Sequence, residues 1–498
     1  MADKNAGTIP GKIIVLDEGT TSTRAMLFDA SGKPLGVAQR ELTQYYPAPG
    51  LVEHDATEIW DKTLACLLEM VALAGGAGKV AAIGITNQRE TVVFWDRESG
   101  KPLARAIVWQ DRRTAEDCSA LKAAGHESMV QGKTGLLLDP YFSGSKIGWA
   151  LKNWPELGAA SKRLAVGTIE SWLLFKLTGG TRHMSDASNA SRTALMDIAA
   201  GQWDAELCAL FGVPLEILPT ISDCIADFGA TDAALTGSPI PIRAMIGDQQ
   251  SATIGQACFD VGDTKATYGT GAFVLTNTGT TRPHSNNRLL ATILYQQDAV
   301  RHYALEGSVF VAGSLVQWVR DGLGVIGSSA ETEALARSVE DNGGVTLIPA
   351  LSGLGAPWWR PDVHASLTGL SFATGKAHIV RAALEAMAHQ TYDLQTAFAA
   401  DGARWAALKV DGGMVANDWI AQDLADILEL EVERPDFIET TALGAAMLAS
   451  VGAGLYPDLR TAAVMRGATG RFQPEMTDSV RTQRIDQWKA AIERLLAP

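Results

Sequence analysis

The stretch Leu16-Asp17-Glu18-Gly19-Thr20-Thr21-Ser22-Thr23-Arg24-Ala25-Met26-Leu27-Phe28 sets a polar, hydroxyl-rich turn between two apolar runs. Apolar Ile13 to Leu16 predicts a strand, Asp17 to Ser22 a tight turn, and Ala25 to Phe28 the returning strand. Glycine followed by three hydroxyl residues offers N–H and O–H donors to an anion, which holds phosphate oxygens without a large fixed charge. Asp17 falls at the strand end, where a carboxylate suits hydrated Mg²⁺. The partner of this stretch is Ile246-Gly247-Asp248-Gln249-Gln250-Ser251-Ala252, which ends another apolar run and presents Asp248 at a strand-to-helix junction. Together the two supply a phosphate cradle and a carboxylate base.

A chain of 498 residues exceeds one hydrophobic core and fits two domains of roughly 250 residues each. The net charge of −14 argues against non-specific attraction to nucleic acid or to an anionic membrane. Cys66, Cys118, Cys208, Cys224 and Cys258 are scattered without a C-x-x-C pair, which points to a reduced, cytoplasmic protein without structural zinc or disulfides. The start, Met1 to Lys12, lacks the apolar core of a signal peptide. The uncharged stretch Thr440 to Pro457 is of membrane length but rich in glycine and alanine, and reads as a close-packed buried helix.

Strand-like runs alternate with helical periods, an α/β pattern. Asp55-Ala-Thr-Glu58 has capping-box spacing ahead of a helix with Ile59, Leu64, Leu67, Leu68 and Val71 on its apolar face. Val80–Thr86, Val92–Trp95 and Ile107–Trp109 read as strands, and Val380, Leu384, Met387, Leu394 and Phe398 as the inner face of a long helix over 376–399. The segment 264–279, TKATYGTGAFVLTNTG, echoes the strand, Gly-Thr turn, strand pattern of 14–28. This echo predicts two related domains facing each other across a cleft, 1–254 and 255–498, divided just past Asp248.

Gly132-Lys133-Thr134 is not a P-loop, because the position five residues before Gly132 is Glu127. The eight histidines form no H-E-x-x-H pair, and His389 reads as a packed residue of the 376–399 helix. Arg89 and Glu90 follow an apolar strand, where they read either as a solvated turn or as a donor and acceptor pair gripping two hydroxyls. Trp109 and Tyr141 suit a substrate wall and core packing equally. Val410 to Asp418 reads as a strand, a Gly412-Gly413 turn and Asn417 capping a helix whose N-terminus favours an anion. Gly307 to Gly313, ahead of a helix bearing Gln317, is a further candidate nucleotide loop.

With DEGTTSTR, ITNQRET, WQDRRT, DPYFSGSKI, NASRT, GDQQSA, TYGTG, EGSVFVAG, GLGAPWW and DGGMVAND present in order, the chain closely resembles the FGGY carbohydrate kinases from about residue 12 to 460. The resemblance implies two actin-like, ribonuclease-H-like domains with a catalytic cleft between them. It implies ATP- and Mg²⁺-dependent phosphorylation of glycerol to sn-glycerol 3-phosphate in glycerol catabolism, by a cytoplasmic homo-oligomer, dimer or tetramer. On it, 1–254 is the polyol and phosphate side and 255–498 the nucleotide side. Asp248 becomes the base; Arg89, Glu90, Trp109, Tyr141, Asp248, Gln249 and Phe273 the polyol pocket; and Thr20, Thr21, Ser22, Arg24, Thr270, Gly313, Gln317, Gly413 and Asn417 the nucleotide and phosphate contacts. Asp17 and Asp248 become the metal carboxylates.

Three departures from the family pattern stand out. Glu18 replaces the usual glutamine, a change expected to be tolerated in a turn. Residues 360–372 lack the Ala-Arg-Gly and Gly-Leu-Thr-Arg signatures, which bears on loop or subunit contacts. Ala233 to Arg243 lacks the glycine-rich basic loop for fructose 1,6-bisphosphate found in enterobacterial members. The competing readings are a sibling kinase for another polyol such as erythritol, or for a ketopentose, and an actin-like ATPase, which would leave Arg89, Glu90 and Asp248 without a common role.

Overall fold

The computed structural model describes residues 11–360 and 362–497, so most of the start read as lacking a signal core lies outside the described residues. The hairpin centred on Gly19 forms as expected: β1 (Lys12–Glu18) and β2 (Ser22–Asp29) run antiparallel, with Asp17 opposite Arg24. β3 (Pro34–Glu41) adds antiparallel beyond β2. β4 (Ala82–Asn87) and β5 (Ile242–Gly247) add in parallel on the other side, giving the order β5-β4-β1-β2-β3.

The second sheet contains β6 (Asp263–Tyr268), β7 (Ala272–Gly279), β8 (Leu290–Gln297), β9 (Val300–Val309), β10 (Ala407–Asp411), β11 (Val432–Pro435) and β12 (Thr469–Phe472). Its order is β8-β9-β7-β6-β10-β11-β12. Within it β11-β10-β6-β7-β9 repeats the first sheet strand for strand, including which neighbours are parallel. The echo between 14–28 and 264–279 is therefore the hairpin of a duplicated sheet.

The helices repeat too. α1 (Ala56–Ala74) and α3 (Lys376–Ala400) lead into the fourth strand of each unit, α2 (Asp248–Gly255) follows β5, α4 (Asp418–Leu428) precedes β11, and α5 (Thr440–Gly452) follows β11. Asp55 caps α1 by accepting from the N–H groups of Thr57 and Glu58 at 2.8 and 3.3 Å. The Glu58 carboxylate goes instead to Thr43 and Lys62, so the reciprocal half of a capping box is not made. The buried face is also rotated from the expected one: Thr63, Cys66 and Met70 join Ile59, Leu67 and Val71 inside, while Leu68 is 39% exposed. On α3 the expected residues Val380, Leu384, Met387, Leu394 and Phe398 are all buried, and His389 stacks on Trp488.

Three expected strands shift slightly, to Ala82–Asn87, Val92–Asp96 and Ala106–Ile107. Val80 closes a tight turn with Ala77 rather than starting a strand, and Trp109 lies beyond the end of the last one. Gly132 to Thr134 are helical, with Lys133 paired to Asp204 and Glu206.

Of the uncharged 440–457 stretch, residues 440–452 form the buried helix α5 and the rest is turn, and among the described residues no helix is long and apolar enough to cross a membrane. α5 packs against α2 through reciprocal glycines. A Cβ on Gly444 would lie 1.8 Å from the Ser251 carbonyl oxygen, and one on Gly255 would lie 2.0 Å from that of Thr440. The two helix backbones touch, which is possible only without side chains there. Gly444→Ala is expected to cost about 1–3 kcal/mol, the range for an overpacked core. At Gly78, where an added Cβ meets nothing within 4 Å, alanine should change little. Urea unfolding followed by circular dichroism checks this; matching midpoints for the two variants would contradict the crossing.

Candidate active site

Arg89 and Glu90 leave the end of β4 and turn inward. Glu90 has φ 63°, a left-handed conformation that a non-glycine residue holds only at a cost of about 1–3 kcal/mol. Its surroundings over-determine it: Oε1 accepts from Arg192 Nε at 2.6 Å, and its backbone carbonyl accepts from Ser143 Oγ at 2.9 Å. Arg89 directs its fork at Glu306, Nη1 to Oε2 at 2.5 Å and Nη2 to Oε1 at 3.2 Å. Arg192 Nη2 donates to Glu306 Oε1 at 3.0 Å, and Arg89 Nε lies 3.9 Å from Glu90 Oε1. Two guanidinium and two carboxylate groups thus alternate around a buried, charge-balanced ring.

Removing these charges from water is costly, and the bidentate geometry offsets that cost. Burial works against ionised Glu306, yet Arg192 and Arg89 hold its carboxyl down at about 2. Arg192 and Glu306 were missed as site residues, although both lie in quoted motifs. Glu306 carried a signal: a carboxylate in the apolar run Tyr303-Ala-Leu-Glu306 demands a buried partner.

Asp248 is the first residue of α2, at the expected strand-to-helix junction, and its Oδ1 lies 3.3 Å from Arg89 Nε. Burial pushes its carboxyl up to about 6 against the pull of Arg89, with Glu90 adding to the rise. Its side chain keeps 28% exposure, so it is where the ring meets solvent. Gln249 accepts from Lys265 Nζ at 2.7 Å through Oε1. Tyr141 OH is 3.5 Å from Arg89 Nη2, and its ring meets Trp109 edge-on at 5.5 Å. Trp109 Nε1 donates to Thr20 Oγ1 at 2.9 Å, tying this wall to the Gly19 turn. Phe273 lies on β7 between Thr267 and Ser308 of the neighbouring strands, and among the described residues it makes no ring contact with Trp109 or Tyr141.

At the Gly19 turn, Gly19 N–H closes onto the Ser22 carbonyl at 3.0 Å, leaving Thr20 and Thr21 at the tip. Ser22 already belongs to β2, and its Oγ accepts from Gln39 at 3.0 Å. Asp17 is buried and accepts from Arg24 at 2.5 Å; the other arm of Arg24 reaches Glu439, just before α5, at 2.6 Å. Burial raises the Asp17 pKa despite Arg24. The expectation that Glu18 sits in a turn is corrected: it ends β1 with its side chain fully buried, Oε2 accepting from Thr63 Oγ1 at 2.9 Å. Burial pushes it up to about 8, so a neutral acid occupies the position at neutral pH. Among the described residues no group of three or more His, Cys, Asp or Glu side chains makes a metal cage. One or two carboxylates suffice for Mg²⁺ that arrives on phosphates; of the two expected ones, Asp248 keeps 28% exposure, whereas Asp17 is buried and engaged by Arg24.

The proposed nucleotide segments interlock. The Thr270 carbonyl, in the β6–β7 turn, accepts from the N–H groups of Ala312 and Ser314 at 2.9 and 3.1 Å. A Cβ on Gly313 would lie 2.5 Å from the Gly269 carbonyl oxygen and 3.0 Å from Met414 Cγ, so glycine lets these segments meet. At Gly413 an added Cβ meets nothing within 4 Å, leaving open space. Asn417 caps α4 by accepting from Trp419 N–H at 2.9 Å and Ile420 N–H at 3.4 Å. Gln317 is exposed at the end of the short Gly313–Gln317 helix, at the margin of this group.

Residues 12–255 match the N-terminal domain of the FGGY family of carbohydrate kinases, and residues 264–453 match its C-terminal domain. Glycerol kinase of Rhodospirillum centenum is 53% identical over 485 residues, covering 97% of each chain. That of Alcanivorax borkumensis is 52% identical over 487 residues, 97% of this chain and 98% of the other. The crystal structure of Plasmodium falciparum glycerol kinase with ADP superposes with a TM-score of 0.93 at 37% identity, covering 98% of this chain and 99% of that one. Duplicated sheets, a buried charged ring joining them and full-length relatives sharing half of all positions lead to one conclusion: the chain belongs to the FGGY family of carbohydrate kinases.

Proposed function

We propose that the protein is a glycerol kinase, transferring the γ-phosphoryl group of ATP to glycerol to give sn-glycerol 3-phosphate. Identity above 50% over nearly the whole length to a glycerol kinase carries this reading, and the neutral ring beneath Asp248 supplies its chemistry. Residues 1–254 form the polyol and phosphate side and 255–498 the nucleotide side. Arg89, Glu90, Tyr141 and Gln249 take the hydroxyls of glycerol, and Trp109 and Phe273 cover its carbons. Thr20, Thr21, Ser22 and Arg24 contact the transferred phosphate, while Thr270, Gly313, Gln317, Gly413 and Asn417 contact the nucleotide.

Asp248 accepts the proton of the attacking primary hydroxyl. Arg89, held by Glu306, keeps that hydroxyl and its neighbour oriented, so little reorganisation is left for the transfer itself. Asp17 and Asp248 would hold the Mg²⁺ that arrives with ATP, which would neutralise phosphate charge. Closure of the two domains excludes water as a competing acceptor. A cytoplasmic setting is supported by five unpaired, buried cysteines, and a homo-oligomer by the exposed apolar Leu370 and Phe372 ahead of α3.

Asp248→Asn should lower kcat by on the order of 10²–10⁴, the usual contribution of a general base; a variant keeping half of the wild-type kcat removes Asp248 from the role. The folded carboxyl titrates near 6, above its ordinary 3.8, so the base form is lost as pH falls. In wild type kcat/KM for glycerol should decline below about pH 6 with the slope of one proton.

Buried polar groups matched to hydroxyls reject an acceptor that lacks one. 1,3-Propanediol should therefore react at least ~10²-fold more slowly than glycerol in kcat/KM. Comparable values for the two acceptors would separate Arg89 and Glu90 from polyol selection.

Fructose 1,6-bisphosphate should not inhibit. Arg243 is the sole cation between Thr231 and Ile246, and it is already paired with Asp227. Two phosphates need several basic side chains or N–H groups. Saturable inhibition at millimolar bisphosphate, across a range of enzyme concentrations, would show that another basic cluster serves instead.

A further inference from the structure

The second sheet buries two charges, on Glu306 and Lys265, whose side-chain hydrogen bonds all leave it, although Asp411 of β10 also attracts Lys265. Glu306 on β9 pairs across with Leu275 on β7, and Leu275 pairs with Lys265 on β6, so the three form one transverse row. Directly paired residues share a face of the sheet. Both charged side chains are fully buried, yet with one strand between them their backbones stand about 9.5 Å apart and they form no ion pair with each other. Every side-chain hydrogen bond of Glu306 goes to Arg89 or Arg192 in the first half of the chain. The side-chain hydrogen bond of Lys265 goes to Gln249. The next residues along β6, Ala266 and Tyr268, point the other way into the core of the second domain.

The duplicated fold supplies an internal comparison. In the first sheet the corresponding row is Val15, Met26 and Val37, apolar throughout. The backbone therefore does not demand charge at these positions. Burying a charge is expensive, and the hydrogen bonds of both charges end on proposed polyol contacts in the first domain.

We propose that Glu306 and Lys265 are positioning residues for the acceptor, by which the second domain fixes the orientation of Arg89 and Gln249 in the first. Lys265 occupies Oε1 of Gln249, which leaves the amide nitrogen available and makes Gln249 a hydrogen-bond donor to a hydroxyl oxygen. Glu306 takes both arms of the Arg89 fork, which turns Nε toward Asp248. The acceptor site is then complete only while the two sheets are apposed. This inference rests on the proposed roles of Arg89 and Gln249 as polyol contacts.

The test compares Lys265→Met, Lys265→Arg, Glu306→Gln, Gln249→Ala and the Lys265→Met/Gln249→Ala double variant of the full chain, each shown folded by circular dichroism. Lys265→Met should raise KM for glycerol at least ~10-fold while KM for ATP stays within about twofold, since a mispositioned acceptor group alters acceptor binding. Lys265→Arg, which keeps the cation, should recover most of the loss. Because Lys265 acts through Gln249, the double variant should match Gln249→Ala to within about twofold rather than multiply the two effects. Glu306→Gln should show the same split between glycerol and ATP; if it fails to fold, the lysine series decides alone. Equal rises in both KM values, or multiplicative losses in the double variant, overturn the inference while leaving the kinase reading intact. Wild type that turns over ATP without stimulation by glycerol, erythritol or xylulose overturns both.

Discussion

The pair formed by Arg89 and Glu306 joins the two halves of the molecule at the point where chemistry is proposed to occur. Arg89 enters from the end of β4 and Glu306 from β9, more than two hundred residues later, and each is buried. Neither charge is tolerable alone in that environment. Their mutual neutralisation, completed by Arg192 and Glu90, lets Asp248 stand beside a fixed guanidinium. Loss of one member would leave an uncompensated charge in the interior, so the ring favours apposition of the sheets.

The same constraint explains why Asp248 differs from an ordinary surface aspartate. Its carboxyl is enclosed enough for burial to raise it to about 6, and close enough to Arg89 to be held from rising further. A base poised there is ionised at neutral pH yet retains affinity for a proton. Glu18 shows the other outcome: buried without a cation, it is pushed to about 8 and remains a neutral acid beside Asp17. Environment separates the two carboxyls although both sit near the ends of strands in one sheet.

Much of this was legible in the sequence. The Gly19 hairpin, its echo at 264–279, the junction before Asp248 and the buried 440–452 helix all follow from local patterns: turn residues, alternating polarity and an absence of charge. The contacts that failed to show are long-range. Glu306 is a single charge in an apolar run, whereas Arg192 and Lys265 stand among small polar residues, and the meaning of all three depends on partners that only the folded topology supplies. Leucine at helical spacing predicts Leu68 inside, whereas Thr63 and Cys66 occupy the buried stripe, and Thr63 donates to Glu18 there. Polar partners of buried polar groups defeat a reading based on hydrophobic period alone.

Duplication of the sheet gave two equivalent hairpins, and the side chains at matched positions show how equivalence was broken. At the strand ends the first hairpin sets Asp17 against Arg24, while the second sets Thr267 against Phe273. One turn therefore brings charge to the cleft and the other brings an aromatic surface. Two rungs further from the turn the contrast reverses, with Val15 and Met26 in the first sheet and Lys265 and Leu275 in the second. Arg24 of the first hairpin meets Glu439 of the second half, and Lys265 of the second meets Gln249 of the first. A symmetric pair of binding turns would serve two like ligands. The offset charges instead create one polar floor, reached from both sheets, between two turns of different character. An enzyme that must hold an uncharged polyol against a polyphosphate needs that asymmetry, and here side-chain substitution on a repeated pattern of strand pairing contributes to it.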